Sequence, residues 1–300
     1  MNKKCLQIRI VLYGIYIGGD DVDIKSTYTL TNGIKLPYLG FGVYELTDKA
    51  EGLAAMQSAL DVGYRLFDTA AYYKNEQIVG EFLAQANVPR DHIMVTTKIW
   101  PRDYGYVSAK KAFLESAKKL GVSYIDMYLL HWAAEGYEET WRAMEELYHD
   151  GFIRAIGVCN FLPHHIEHLM ESAHVRPMID QLEIHPYWQP RDTYQYLQTQ
   201  KIALQAWSPI NRADKIMFAE PILTELAEKY HKTVAQIVLR WHLERHTLII
   251  PKSAHPKRIA ANADIFDFSL TPAEVASIAT LHHENGFRRN PDELNWLQSL

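Results

Sequence analysis

Short runs of apolar residues recur along this chain, and between them the apolar positions return every three or four residues. The runs Tyr38 to Val43, Tyr64 to Phe67, His92 to Thr97, Tyr124 to Leu130, Ile153 to Val158, Met178 to Glu183, Ile202 to Trp207 and Leu248 to Ile250 each read as a strand. The intervening stretches read as amphipathic helices. One carries Ala50, Leu53, Ala54, Met56 and Leu60, and another carries Ile78, Val79, Phe82 and Leu83. Further helices are predicted over Ser108 to Leu120 with Gly121 as a left-handed cap, over Glu138 to His149, and around Ile166, Leu169 and Met170. The rest fall over Thr193 to Gln200, Pro221 to Tyr230, Val234 to Arg245 and His255 to Ala263, with a last one opened by Thr271-Pro272-Ala273-Glu274. Pro209 to Phe218 has no period and reads as a surface loop, and Asn285 to Leu300 as an irregular tail.

Ahead of the first unit, Thr27 to Thr31 and Ile34 to Leu36 flank Asn32-Gly33, the signature of a hairpin with a two-residue turn. Such a hairpin is placed to plug one mouth of a barrel. Eight strand–helix units without a break in composition predict an α/β chain folded as a (β/α)8 TIM barrel, with an open doubly wound sheet as the alternative. Residues 27–300 then form a single domain. Residues 1–26 form a loosely attached extension whose Lys3, Lys4 and apolar run faintly imitate a signal peptide, interrupted by Gln7 and Arg9.

Composition narrows the function classes. The 300 residues are 48% hydrophobic and 22% charged with a net charge of -5, so no basic footprint for nucleic acid is present. No apolar run reaches membrane-spanning length. Cys5 and Cys159 stand far apart, which suits a reducing compartment, and a cytoplasmic monomer is expected. Gly40-Phe41-Gly42-Val43-Tyr44-Glu45 lacks the third glycine of a dinucleotide fingerprint. His164 and His168 have helical metal-ligand spacing, but no third ligand is evident, so a solvated face and no metal are expected.

The chemistry lies at the strand ends. Asp68 closes one run, and Tyr73 follows in the next loop. Lys98 ends the third strand run and His131 the fourth. In a barrel these ends share one face, where active sites sit. A phenol titrates near pH 10 and is a poor acid alone. A nearby ammonium favours its phenolate, and a carboxylate keeps that ammonium charged. Together with a histidine, such groups describe a general acid aimed at an oxygen that is becoming negative. Singly, each has a structural explanation as a loop cap, a solvated cation or a packed ring. A lysine Schiff base would need Lys98 neutral, and Asp68 argues against that.

The residues Asp68 to Glu76, Thr97-Lys98-Ile99-Trp100, Leu129-Leu130-His131-Trp132, Gly157 to Phe161, Gln181 to Tyr187, Ala206-Trp207-Ser208-Pro209 and Ile250-Pro251-Lys252-Ser253 stand in an order that resembles the aldo-keto reductase family, above all its bacterial branch of diketo-gluconate and glyoxal or methylglyoxal reductases. The resemblance implies that Tyr73 is the proton donor, tuned by Lys98 and Asp68, with His131 orienting a small carbonyl substrate. It implies NADPH as cofactor. Asn160 and Gln181 would hold the nicotinamide carboxamide beside Cys159, with Trp207 stacked on the ring and Ser208 next to it. Lys252, Ser253 and Arg258 would meet the 2′-phosphate, and Asn262 the adenine. Tyr44, Trp100, Trp132 and Phe287 would line the substrate pocket. Cys159 stands where Ser is commoner in the family, and Trp207 where Tyr is. A nucleotide-sensing binding subunit is the alternative within the same fold.

Overall fold

A computed structural model describes residues 22–299. A hairpin, β1 (Thr27–Thr29) and β2 (Lys35–Pro37), precedes the barrel. The barrel begins with β3 (Phe41–Gly42), α1 (Lys49–Asp61), β4 (Leu66–Asp68), α2 (Glu76–Gln85), β5 (Met94–Ile99), α3 (Tyr106–Leu120), β6 (Ile125–Leu130) and α4 (Tyr137–His149). It continues with β7 (Ile153–Cys159), α5 (Pro163–Met170), β8 (Ile179–Glu183), α6 (Arg191–Gln200) and β9 (Ala203–Trp207). After the short α7 (Lys215–Phe218) come α8 (Pro221–Tyr230), α9 (Val234–Glu244), β10 (Leu248–Ile249), α10 (Pro256–Ala263) and α11 (Pro272–Ala279).

Strands β3 to β10 pair in parallel in sequence order. The sheet closes where Leu39 bridges Ile249, with Gly40 N donating to Ile249 O at 2.8 Å and Gly42 N to Pro251 O at 3.1 Å. Gly42 is required there: a Cβ on it would stand 2.9 Å from the Ile250 carbonyl oxygen. The closed barrel matches the sequence-based expectation. Its interior and the strand–helix layer form one core that includes Leu66, Phe67, Val95, Leu129, Ile156 and Leu204. A smaller cluster of Leu223, Leu226, Ile237, Trp241 and Ile278 packs α8, α9 and α11 together.

The helix ends follow local chemistry. Asp48 caps α1 by accepting from Glu51 N, and Gly121 takes φ 65° after α3. Thr233 with Gln236, and Thr271 with Glu274, form reciprocal capping boxes on α9 and α11.

Four expectations need correcting. The hairpin loop has three residues: Leu30 N bonds Ile34 O, Gly33 N bonds Leu30 O, and only Gly33 has a positive φ. That is a tight turn with glycine at its left-handed end, not a turn with two left-handed residues. Asn32 accepts from Ile34 N within the loop at 3.2 Å and donates 2.9 Å to Arg154 O near the start of β7, which ties the hairpin to the amino-terminal mouth. The stretch Pro209 to Phe218 contains a 3-10 turn and α7, because Asp214 accepts from the amides of Ile216 and Met217. Lys98 lies inside β5 instead of beyond it. The expected first strand shrinks to Phe41–Gly42 and the lone bridge at Leu39. Of the extension, only residues 22–26 belong to the described part. There Asp23 accepts from Lys25 N and the Ser26 hydroxyl.

Candidate active site

Register brings the four strand-end residues together. Asp68 pairs across β4 and β5 with Thr96, so Lys98 stands one pleat further along on the same face. Lys98 Nζ donates to Asp68 Oδ1 at 2.6 Å and to Thr69 O at 2.9 Å, and lies 3.5 Å from the Tyr73 hydroxyl. The Tyr73 ring meets that of His131 edge-on at 5.8 Å and that of Tyr44 at 4.9 Å. Asp68 and Lys98 are 1% and 0% exposed, so their pair is shielded from screening by solvent.

The loop carrying Tyr73 is held by residues around it. Lys74 adopts φ 57°, which ends the 3-10 turn Ala71–Tyr73. Asn75 donates to Val43 O at 2.7 Å and Leu46 O at 3.1 Å and accepts from the Thr69 hydroxyl at 2.7 Å. Two of these bonds pin the loop to the chain that leaves β3, and the third ties it to the end of β4. The Thr97 hydroxyl donates to Glu76 Oε1, fixing the start of α2 against β5.

Burial and charge act against each other at each titrating group. Burial disfavours the charged form of Lys98, but Asp68 and Tyr73 outweigh it, and Lys98 titrates above the usual lysine range. Burial likewise raises Asp68, opposed by Lys98 and by a bond from Gln181 Nε2. Tyr73 is pushed up by burial more strongly than Lys98 pulls it down, so it is a protonated phenol at neutral pH. A lysine this near is expected to lower the phenol. The pull is present and burial exceeds it. His131 titrates well below its ordinary value because of burial and then Lys98, which leaves a neutral imidazole.

A second layer of polar groups lies around the other barrel strands. Gln181 Nε2 donates to Asp68 Oδ2 and to Gln205 Oε1, both at 2.8 Å. Asn160, in a left-handed conformation after β7, donates to His131 O at 3.1 Å and to Cys159 Sγ, and accepts from Trp207 Nε1 at 2.9 Å. Its amide is therefore engaged within the protein, though its oxygen keeps a second lone pair. Among the described residues Gln181 Oε1 meets only the Cys159 thiol, at 3.8 Å. Cys159 is buried, and burial pushes its thiol up. Buried polar atoms without a protein partner among the described residues include Ser208 Oγ, His131 Nδ1 and Gln205 Nε2. Lys252 follows β10, and Arg258 and Asn262 lie on α10, with Ser253 accepting from His255 N just before that helix. Among the described residues Lys252 and Arg258 have no carboxylate partner.

On the other side Trp100 stacks on Tyr72 at 4.0 Å and meets His131 edge-on at 5.0 Å. The tail reaches this wall through Trp296, whose ring stands 5.1 Å from Trp132 and 6.3 Å from Trp100. Phe287 makes its ring contact with Trp188 instead, at 4.7 Å. The tail is fixed nearby, since Arg288 N donates to buried Glu183 at 2.8 Å and its guanidinium to Asn211. A cleft of about 460 Å³ opens between Tyr72, Lys74, Trp100, Ala133, Leu294 and Leu297. Sequence reasoning did not single out Tyr72, Asn75, Gln205 or Trp296 for these positions. Asn75 and Tyr72 sit inside the motif that drew attention to Asp68 and Tyr73. Trp296 has no periodic context to place it.

The model of the aldo/keto reductase family matches residues 38–213 and 216–283. The glyoxal reductase of Bacillus subtilis is 42% identical over 272 residues, 90% of this chain and 98% of that protein. The methylglyoxal reductase DkgA of Escherichia coli is 44% identical over 266 residues, 88% of this chain and 95% of that protein. The crystal structure of a Bombyx mori aldo-keto reductase in complex with NADP superposes with a TM-score of 0.83 at 34% identity, covering 92% of this chain and 97% of that one. With its closed barrel and motifs in family order, the chain belongs to the aldo/keto reductase family and is, as such, a carbonyl-reducing oxidoreductase.

Proposed function

We propose that this protein reduces small aldehydes and ketones, 2-oxoaldehydes and keto sugars among them, with NADPH, and that Tyr73 is its proton donor. The observation that carries the reading is the buried contact of Lys98 with both Asp68 and Tyr73. When bound, NADPH supplies a hydride from C4 of its nicotinamide. Tyr73 gives its proton to the carbonyl oxygen as negative charge develops there. The phenolate left behind faces the Lys98 ammonium, which Asp68 keeps charged. Neutral His131 offers an N–H to the same oxygen and fixes the plane of the carbonyl.

The cofactor side fits the group. Lys252 and Arg258 match a 2′-phosphate in charge, which supports NADPH over NADH. Ser208 Oγ is a buried hydroxyl lacking a protein partner, and Gln181 Oε1 can accept from a carboxamide. Trp207 is held by its Nε1 bond, which leaves the ring face for stacking on the nicotinamide. Asn262 lies on α10 four residues after Arg258 and would meet the adenine. Tyr44, Trp100 and Trp132, joined by Trp296, give an apolar wall for the substrate. The relatives named as glyoxal and methylglyoxal reductases favour 2-oxoaldehydes. We further propose that residues 27–300 act as one barrel domain, a monomer in the cytoplasm.

The experiment is Tyr73→Phe assayed with methylglyoxal and NADPH. Turnover is lost while NADPH binding, followed by cofactor fluorescence, is retained. Reduction at the unmodified rate would remove Tyr73 from the reaction.

A further inference from the structure

Away from the barrel mouth, the start of α5 and the C-terminal tail bring three side chains together. His164 and His165 are the second and third residues of α5, and Asp292 stands in the tail. His164 Nε2 lies 2.9 Å and His165 Nε2 3.2 Å from the same oxygen, Asp292 Oδ1. All three donor atoms lie within 4.8 Å of one another. We propose that His164, His165 and Asp292 form a site for a divalent ion of the zinc type, which fastens the tail to α5.

The spacing is the first argument. Ligands about 2.0–2.1 Å from a tetrahedral zinc stand roughly 3.3–3.4 Å apart. Both distances to Asp292 fall within about half an ångström of that edge. The exposed His164 ring can turn to close the remaining one. The donor set is the second argument. Two imidazoles and one carboxylate suit zinc, nickel or copper and not magnesium or calcium. His164 and Asp292 are 59% and 48% exposed, so water can occupy the fourth corner. His165 is only 14% exposed, so its ring is held in place beside Asp292.

One contact limits the affinity. His165 Nδ1 accepts from Leu162 N at 3.1 Å, so the neutral ring carries its proton on Nε2. Ligation moves that proton to Nδ1 and gives up the Leu162 bond. This makes the site weaker than a structural zinc site with a supporting second shell. His168, singled out by its spacing in the sequence, turns away to Glu138 at 2.9 Å and is not a ligand. The two ligands that join His164 come from the neighbouring residue and from a segment more than a hundred residues away. Asp292 is four residues from Trp296, so a bound ion would tether the stretch that walls the cleft. The site itself does not depend on the reductase reading.

The test is equilibrium dialysis of the full chain against zinc chloride near neutral pH. The unmodified protein is compared with His164→Ala, Asp292→Asn and, as control, His168→Ala. The unmodified protein and His168→Ala should bind one zinc more per chain than the other two, whose affinity at this site falls by about 10–100-fold or more. Zinc should also protect the tail against limited proteolysis in the first pair only. Equal zinc binding and equal protection in all four proteins would overturn the site and leave a histidine–carboxylate ion pair.

Discussion

Replacing Asp68 by Asn tests whether the carboxylate is what keeps Lys98 charged. The change preserves shape and removes one negative charge from a pair that is almost wholly buried. Breaking a buried pair by removing one partner costs about 3–5 kcal/mol. Lys98 has an escape, which is to fold without its proton. At pH 7 that escape costs about 4.6 kcal/mol, from 3.4 pH units below an ordinary lysine at 1.36 kcal/mol each. At pH 9 it costs only about 1.9 kcal/mol. In the unmodified protein the folded Lys98 titrates above its unfolded value, so its contribution to stability is full below about pH 10.4 and flat between pH 7 and 9. In Asp68→Asn with a neutral Lys98, the unfolded chain binds one proton more, and stability rises with pH. The stability gap between the two proteins should therefore shrink by up to about 1.4 kcal/mol per pH unit from pH 7 to 9. Urea unfolding at three pH values measures it. Turnover of the variant should fall about 100-fold or more, because a neutral amine does little for a phenolate. A gap that stays constant with pH, in a variant of normal activity, would refute the reasoning.

Other perturbations probe the remaining parts of the site. Replacing both Lys252 and Arg258 by Met should weaken NADPH by about 1.5–3 kcal/mol per lost charged bond and leave NADH almost unchanged; titration with each dinucleotide decides it. Trp296→Ala should raise KM for aromatic aldehydes while kcat for methylglyoxal stays within about twofold, because the indole packs on Trp132 and Trp100 beside the cleft. Asn75→Ala unpins the Tyr73 loop. Each buried group it abandons costs about 1–3 kcal/mol, so the melting temperature and kcat should drop together while NADPH affinity holds.

The barrel was legible because its strands are short apolar runs and its helices keep a 3.6 period, and both survive without tertiary information. Asp68, Lys98 and His131 were legible for a related reason: each interrupts an apolar run where only a polar function or a cap explains it. What escaped depends on contacts distant in sequence. The segment after Pro209 looked structureless because α7 has only four residues, too few for a period to show, and rests on a single cap at Asp214. The hairpin loop differs because Asn32 spends its amide on Arg154, 122 residues away, and no local pattern encodes that bond. Gln205 lies in a strand whose pattern marks it as inward-facing, but only its bond with Gln181 connects it to Asp68.

The opposed effects at Tyr73 bear on why the pair beneath it is buried so deeply. Had Lys98 been exposed, solvent would screen it and its charge would favour the phenolate little. Burial strengthens the lysine's pull and at the same time raises the phenol, and here the second effect is the larger. The outcome suits an acid better than a depressed pKa would. Tyr73 keeps its proton through the neutral range, and the ammonium 3.5 Å away acts most strongly once the oxygen turns negative. With Tyr73 as the proposed donor, stabilisation would be greater in the transition state than in the resting enzyme, which is the condition for raising rate instead of merely binding substrate. Asp68 serves that end at one remove. It does not lower the phenol, and its own charge raises Tyr73. Its part is to hold the buried ammonium charged against burial, which acts to lower it.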